Sequence, residues 1–261
     1  MKYADIHSHI LPYIDDGAKD LDTAVQLVSV CLEQDIDTIV CTPHFSPLAD
    51  KNVLEFIKKR DESLALLKNE LEKRNIPSPN FLLGAEVLLD CDLAEVENIE
   101  KLAITGTDYI LLEMPDVTWQ SWMFDYIYNL LALKNLIPVI AHVERYSQTK
   151  EAMDKLKRLE VYFQVNASSV IHNRKMNDEV SRLLKSGDVH FISTDTHSLK
   201  TRPPEMKKAM EIIEMKYTPQ YAQTLRLNSY KVIKNEICHK KEAEYYTFEP
   251  KKRGFLSRFF K

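Results

Sequence analysis

Seven short apolar runs, separated by segments with helical spacing, set the strongest limit on what this chain can fold into. They are "YADIH" (3–7), "IDTIVCTP" (36–43), "NFLLGAEV" (80–87), "YILLEM" (109–114), "LIPVIAH" (136–142), "VYFQVNA" (161–167) and "VHFISTD" (189–195). Each is nearly continuous and rich in Ile, Val and Leu, as strands covered on both faces are. Between them, residues 20–34 put Leu21, Val25, Val28 and Leu32 on one helical face, and 51–74, 121–134, 151–160 and 178–187 behave likewise. The last of these ends at Gly187, where a helix cap is expected. Two more helices are expected over 204–216 and 218–236. This alternation predicts an α/β barrel in one body over 1–240, with an open doubly wound sheet as the competing architecture, and a separate tail over 241–261.

The titratable residues follow the same pattern. His7 and His9 close the first run, with Asp15 and Asp16 just beyond. His44 follows the second run, and Glu86, Glu113 and His142 close the next three, while Asp195 and His197 close the last. In a parallel barrel all these ends lie on the face where active sites are built. HxH alone is a weak motif, because strand alternation puts both rings on one face with no function implied. Carboxylates inside apolar runs are a stronger signal, since an unpaired buried charge is costly and calls for a cation. Nitrogen and carboxylate groups without thiolate suit manganese, iron or zinc better than a structural zinc site.

Several function classes are excluded. The net charge of −4 offers no basic stripe for nucleic acid. Only five glycines are present, and neither a dinucleotide fingerprint nor a P-loop occurs. The four cysteines, Cys31, Cys41, Cys91 and Cys238, form no CxxC pair and read as reduced thiols of a cytoplasmic protein. The residues six positions after them are Asp37, Pro47, Glu97 and Glu244, so no CxxxxxR phosphatase loop exists. No secretion signal and no apolar stretch of membrane-spanning length is found.

The segments "DIHSHILPYIDDG", "CTPHF", "GAEV", "LLEMP", "AHVERY" and "STDTHSLKTRPP" resemble the successive metal motifs of the PHP (polymerase and histidinol phosphatase) superfamily. They are most similar to its bacterial tyrosine-protein phosphatase branch, which accompanies the tyrosine kinases of capsule and exopolysaccharide synthesis. The resemblance runs from the first strand to about residue 236. It implies a distorted (β/α)7 barrel with a cluster of three ions, manganese or else iron, cobalt or zinc. The implied metal ligands are His7, His9, Asp16, His44, Glu86, Glu113, His142, Asp195 and His197. Of the adjacent acids, Asp16 matches the family ligand better than Asp15. Arg145 and Arg202 match the substrate-binding arginines and, with Asp16, form the expected catalytic set.

The implied activity is that of a phosphoric monoester hydrolase, a protein-tyrosine phosphatase. A metal-bridging hydroxide would attack phosphotyrosine on a membrane-associated kinase. The site chemistry alone would accept any phosphomonoester, so a histidinol-phosphatase-like enzyme stays open, as does a non-catalytic metal-binding module. Metal-dependent amidohydrolases also begin with HxH, but they commonly bridge metals with a strand-end Lys, where this chain has carboxylates. Tyr146 and Ser147 lie beside Arg145 without an assigned role. His190 reads as a hydrogen-bonded core residue, and His172 and His239 match no motif. The ending "KKRGFLSRFFK" (251–261) reads either as a solvated tail or as a peripheral membrane or partner anchor.

Overall fold

The computed structural model describes residues 2–146, 148–159, 161–172 and 179–238. The tail over 241–261, with the anchor expected within it, together with Ser147 and His239, lies outside the described residues.

Among the described residues, nine strands, all parallel, carry the frame. The first half comprises β1 (Tyr3–Ser8), α1 (Leu21–Glu33), β2 (Ile36–Cys41), β3 (His44–Phe45), α2 (Pro47–Asp50), α3 (Val53–Lys73), β4 (Asn80–Leu83) and β5 (Glu86–Leu88). The second comprises β6 (Tyr109–Glu113), α4 (Ser121–Lys134), β7 (Ile137–Ile140), α5 (Lys150–Arg158), β8 (Tyr162–Asn166), α6 (Ala167–His172), α7 (Glu179–Ser186), β9 (Phe191–Ser193), α8 (Met206–Lys216) and α9 (Pro219–Val232). Local chemistry starts the helices. The side chains of Asp20, Asn52, Thr149 and Thr218 each accept a backbone N–H of the first turn, and Pro219 follows Thr218 at the first helical position. Gly187 ends α7 with φ +70°, as expected for a left-handed cap.

The strands pair in the orders β1-β2-β4 and β3-β5-β6-β7-β8-β9. Two expected runs are each split in the middle. Thr42–Pro43 separates β2 from β3, and Gly84–Ala85 separates β4 from β5. Proline donates no ladder hydrogen bond, which accounts for the first break. Pairing nonetheless continues across both, because Gly84 N–H donates to Cys41 O (2.9 Å) and Glu86 N–H to Pro43 O (3.1 Å). The result is seven strand positions. The ring closes where Ser8 bridges Thr196 in parallel, with Asp195 N–H donating to His7 O and His9 N–H to Thr196 O, both at 2.9 Å. α9 packs over β1 and β9 at this seam. The fold is the distorted (β/α)7 barrel of PHP type that the motifs implied.

Some boundaries differ from expectation. His142 lies past the end of β7 in a left-handed turn, two short 3₁₀ turns (Leu93–Glu95 and Ile99–Leu102) lie between β5 and β6 where no element is expected, and α9 stops at Val232. α6 follows β8 directly, where no helix is expected. Among the described helices, none is long and apolar enough to cross a membrane. Cys31, Cys41 and Cys238 are buried, Cys91 is half-buried, and all four are free thiols.

A small apolar cluster that includes Val40, Tyr109, Leu111, Val139, Tyr162 and Phe191 fills the barrel. By strand alternation these residues share a face with His44, Glu113, Gln164 and Asp195 farther along the same strands. The polar site therefore sits on an apolar plug, and a larger cluster packs the helices onto the outside.

Candidate metal centre

Every strand position except the sixth, β8, delivers an expected ligand to one end of the barrel, and the deepest carboxylate is Glu86. Its Oε2 lies 3.1 Å from His7 Nε2, 3.1 Å from His9 Nε2 and 3.2 Å from His44 Nδ1. None of these approaches has the alignment of a hydrogen bond, and Glu86 Oε2 is buried with no partner, as is His197 Nε2. Such atoms point at a common space rather than at each other. Ligands about 2.1 Å from one cation lie roughly 3.0–3.4 Å apart in octahedral or tetrahedral arrangement, and these separations fit that range.

Three overlapping groups can each hold an ion: His9, Asp16, His44 and His197; His7, His9 and Asp195; His44, Glu86 and Glu113. His142 belongs to none of them. Its Nε2 hydrogen-bonds Glu86 Oε1 at 2.7 Å and lies 3.9 Å from Glu113 Oε1. All nine expected ligands thus gather in one cluster. Asp16 approaches His44 (3.4 Å) and His197 (3.3 Å) from a side chain that is 63% exposed.

The first loop explains how the two adjacent acids divide their work. Gly17 packs so closely that a Cβ there would stand 2.0 Å from His9 O. This turn directs Asp15 inward, where Oδ2 meets His9 Nδ1 at 2.7 Å and accepts His44 N–H at 3.2 Å. Asp15 Oδ1 accepts Gly17 N–H. Asp15 thus holds the His9 ring and Asp16 faces the cluster.

Strand β8 contributes no ligand but supplies two buried amides that sequence reasoning missed. Gln164 Oε1 accepts His142 N–H (2.7 Å) and contacts His7 Nδ1 (3.1 Å), so His7 Nε2 is left to face the cluster. Gln164 Nε2 donates to Asn166 Oδ1, and Asn166 Nδ2 donates to Asp195 Oδ2, at 2.8 and 2.7 Å. The available signal was two amides alternating within an apolar run. Tyr146 also acquires a role, with its Oη accepting Met114 N–H (2.9 Å) and lying 3.2 Å from His142 Nδ1. His142 (φ +31°) and Asp195 (φ +49°) both adopt left-handed backbone, uncommon for non-glycine residues and concentrated at functional sites.

The expected arginines arrive at the same place. Arg145 Nη2 donates to Asp195 Oδ2 at 2.6 Å, while Arg202 Nη1 lies 3.3 Å from that oxygen and Nη2 3.5 Å from Asp16. His190 behaves as the core residue expected, with Nδ1 accepting Phe163 N–H.

Electrostatics favour a cation. Asp15, Asp16, Glu86, Glu113 and Asp195 face only two guanidinium groups, an excess of negative charge in a largely buried space. Burial works against ionisation of Glu86, yet the charge of His7, the hydrogen bond from His142 and the close approach of His7 and His9 hold it well below the usual carboxylate range. Asp195 is likewise lowered, by His7 and Arg145 against the cost of burial. Burial opposes charge on His9 as well, but its contacts with Asp15 and Glu86 raise its pKa to about 10. Burial and the neighbouring His9 push His197 down to about 4. Burial and the charge of Glu86 push Glu113 upward.

Comparison with known proteins agrees. The family model "Capsular polysaccharide synthesis, CpsB/CapC" matches residues 3–234. Tyrosine-protein phosphatase YwqE of Bacillus subtilis (strain 168) is 28% identical, over 98% of this chain and 99% of its own length. Tyrosine-protein phosphatase CpsB of Streptococcus agalactiae serotype V is 29% identical, over 88% and 98%. A chain from the crystal structures of YwqE from Bacillus subtilis and CpsB from Streptococcus pneumoniae, described as unique metal-dependent tyrosine phosphatases, superposes with a TM-score of 0.76. The two are 26% identical, over 91% of this chain and 97% of that one. A Xaa-Pro dipeptidase, 11% identical with a TM-score of 0.52, covers 90% of this chain and 75% of its own and shares the fold alone. With barrel, cluster and family model in agreement, the chain belongs to the capsular polysaccharide synthesis CpsB/CapC family.

Proposed function

We propose that this chain is a metal-dependent phosphatase that hydrolyses phosphotyrosine in protein. The observation that carries the reading is Glu86 Oε2, buried and unpartnered among three imidazoles, beside the two arginines that converge on Asp195. The similarity to proteins named tyrosine-protein phosphatases selects phosphotyrosine among the phosphomonoesters.

The residues that would hold cations are His7, His9, Asp16, His44, Glu86, Glu113, His142, Asp195 and His197. Three ions suit the three overlapping groups, and the nitrogen and oxygen donor set suits manganese, with iron, cobalt and zinc as alternatives. Cations bound there neutralise phosphoryl oxygens and bring the deprotonation of water near neutral pH. The chain's own residues supply the remainder. Arg145 and Arg202 turn from Asp195 to the phosphoryl oxygens, where the guanidinium fork matches the charge that phosphoryl transfer must stabilise. Asp15 and Gln164 keep His9 and His7 presenting Nε2 to the cluster. A phenol with a pKa near 10 departs readily enough that no proton donor is required.

The substrate we infer is a tyrosine kinase of capsule or exopolysaccharide synthesis, met in the cytoplasm at the membrane surface. The test is phosphate release from phosphotyrosine and phosphoserine peptides, with metal analysis of the same preparations. Manganese-supported release from phosphotyrosine alone, abolished by chelator, is the expected result. Release that survives complete removal of metal would overturn the reading, and equal turnover of small alkyl phosphates would shift it to a general phosphomonoesterase.

A further inference from the structure

Beside the metal centre lies a recess of about 270 Å³ lined by Leu88, Glu113, Met114, Asp116, His142, Arg145 and Tyr146. Its two walls differ in chemistry. Glu113, His142 and Arg145 belong to the site already described. Leu88 and Met114 carry no group that could hold a metal or phosphate, and Tyr146 meets the site only through its hydroxyl at His142, yet all three stand next to the groups that do. Leu88 follows Glu86 by two residues and so shares its face on β5, and it pairs in register with Glu113 on β6. Met114 follows Glu113 directly, packs into the core on the other face and supports the recess from behind. The apolar wall is therefore built from the same strand ends as the site and continues outward from it.

The wall is also held rigid. Tyr146 cannot offer its hydroxyl to a ligand, because Oη accepts Met114 N–H and contacts His142 Nδ1. Its ring is 5% exposed and Met114 is 1% exposed, so these two back the recess and Leu88, half-buried, is the accessible part of its apolar wall. Trp119 braces that ring from behind at 5.4 Å between centroids, and Phe124 in turn meets Trp119 edge-on at 6.4 Å. Gln148 fixes the segment over Tyr146 by accepting Trp119 N–H and donating to Val117 O, at 3.0 and 2.8 Å. A firm aromatic and aliphatic wall next to an anion site suits a flat apolar group attached to a phosphate. The recess is smaller than the roughly 300 Å³ at which pockets for drug-sized ligands begin, so a single ring suits it better than a nucleoside.

We infer that Leu88, backed by Met114 and the ring of Tyr146, seats the aromatic ring of an aryl phosphoester, so the site selects phosphotyrosine over aliphatic phosphates by contact with the leaving group. This inference rests on the phosphatase reading. It assigns Leu88 as a specificity residue rather than a catalytic one, because it would touch the ring and not the reacting phosphorus.

Non-hydrolysable probes test this without turnover. Calorimetric titration of the manganese-loaded full chain compares inorganic phosphate, methylphosphonate and benzylphosphonate. Burial of one ring face predicts that benzylphosphonate binds about tenfold more tightly than methylphosphonate. The readout is this ratio, so a general loss of anion affinity in a variant cancels. Leu88→Ala is expected to reduce the ratio to about threefold or less, and Leu88→Asp to near unity. A wild-type ratio of one overturns the seat, as does a ratio that persists in the Leu88 variants. If none of the three anions binds, the phosphatase reading itself fails and the seat falls with it. If phosphate and both phosphonates bind equally, only the seat fails.

Discussion

The inner and outer halves of the site are made of the same residue types but sit in different surroundings. His7, His9, Glu86, His142 and Asp195 are buried, whereas Asp16, His44 and Arg145 are substantially exposed. Each inner ring has its remaining nitrogen tied down: His7 to Gln164, His9 to Asp15 and His142 to Tyr146. The outer groups stay open to solvent while reaching inward, Arg145 to Asp195 and His44 to Glu86. A charge on the inner side has no solvent to relieve it if its partner is lost, so inner substitutions affect ion retention. At the rim, solvent softens the loss, and substitution shows in how substrate is handled.

Glu86→Gln breaks this contrast most severely. It removes a charge that contacts His7, His9, His44 and His142. Turnover should fall by at least about 10³-fold, with loss of bound metal in the same sample, since a displaced cation takes several kcal/mol of charge stabilisation with it. A Glu86→Gln protein that keeps full metal content would show that this carboxylate is structural. Arg145→Ala is the rim counterpart. There kcat/KM should drop about 10²-fold while metal content stays at the wild-type level, because a forked phosphate contact is lost and no ligand is. Metal loss in Arg145→Ala would erase the division between the two halves.

The division bears on how much could be read from sequence. The cluster of candidate ligands was legible because carboxylates and imidazoles at the ends of apolar runs stand out as energetically costly, and seven such runs implied one barrel face, while the family resemblance picked out the individual positions. Gln164 and Asn166 were not legible as site residues, because a neutral amide in a strand is less conspicuous than a charge. Their function depends on β8 lying between β7 and β9, which is a property of the closed ring. The separate tasks of Asp15 and Asp16 depend on the Gly17 turn, and adjacent residues of one type cannot reveal which points inward. The strand breaks at Thr42–Pro43 and Gly84–Ala85 escaped notice because the apolar pattern runs straight across them, as does the backbone pairing.

Asp15→Asn sharpens the comparison from the inner side. The amide keeps the shape but holds His9 Nδ1 less firmly and without charge, and such outer partners typically alter metal affinity about 10–100-fold. A manganese titration followed by metal analysis should show weakened binding in that range, with near-normal kcat at saturating metal. Unchanged affinity would mean that backbone geometry alone orients His9.

Two glycines give the smallest effects and separate the site from the scaffold. In Gly17→Ala the new Cβ meets His9 O at 2.0 Å, so backbone carrying a site residue must move. A stability loss of about 1–3 kcal/mol, typical of overpacking, should come with weaker metal binding. Gly106 instead has φ +80° with open space around the added carbon. Gly106→Ala therefore carries only the penalty of a side chain in left-handed backbone, about 1 kcal/mol, visible in denaturant unfolding and absent from metal titration. If Gly106→Ala weakened metal binding as much as Gly17→Ala, tight packing against His9 would not be what makes the first loop special. Ion retention would then track global stability, and the contrast between buried ligands and rim would lose its physical basis.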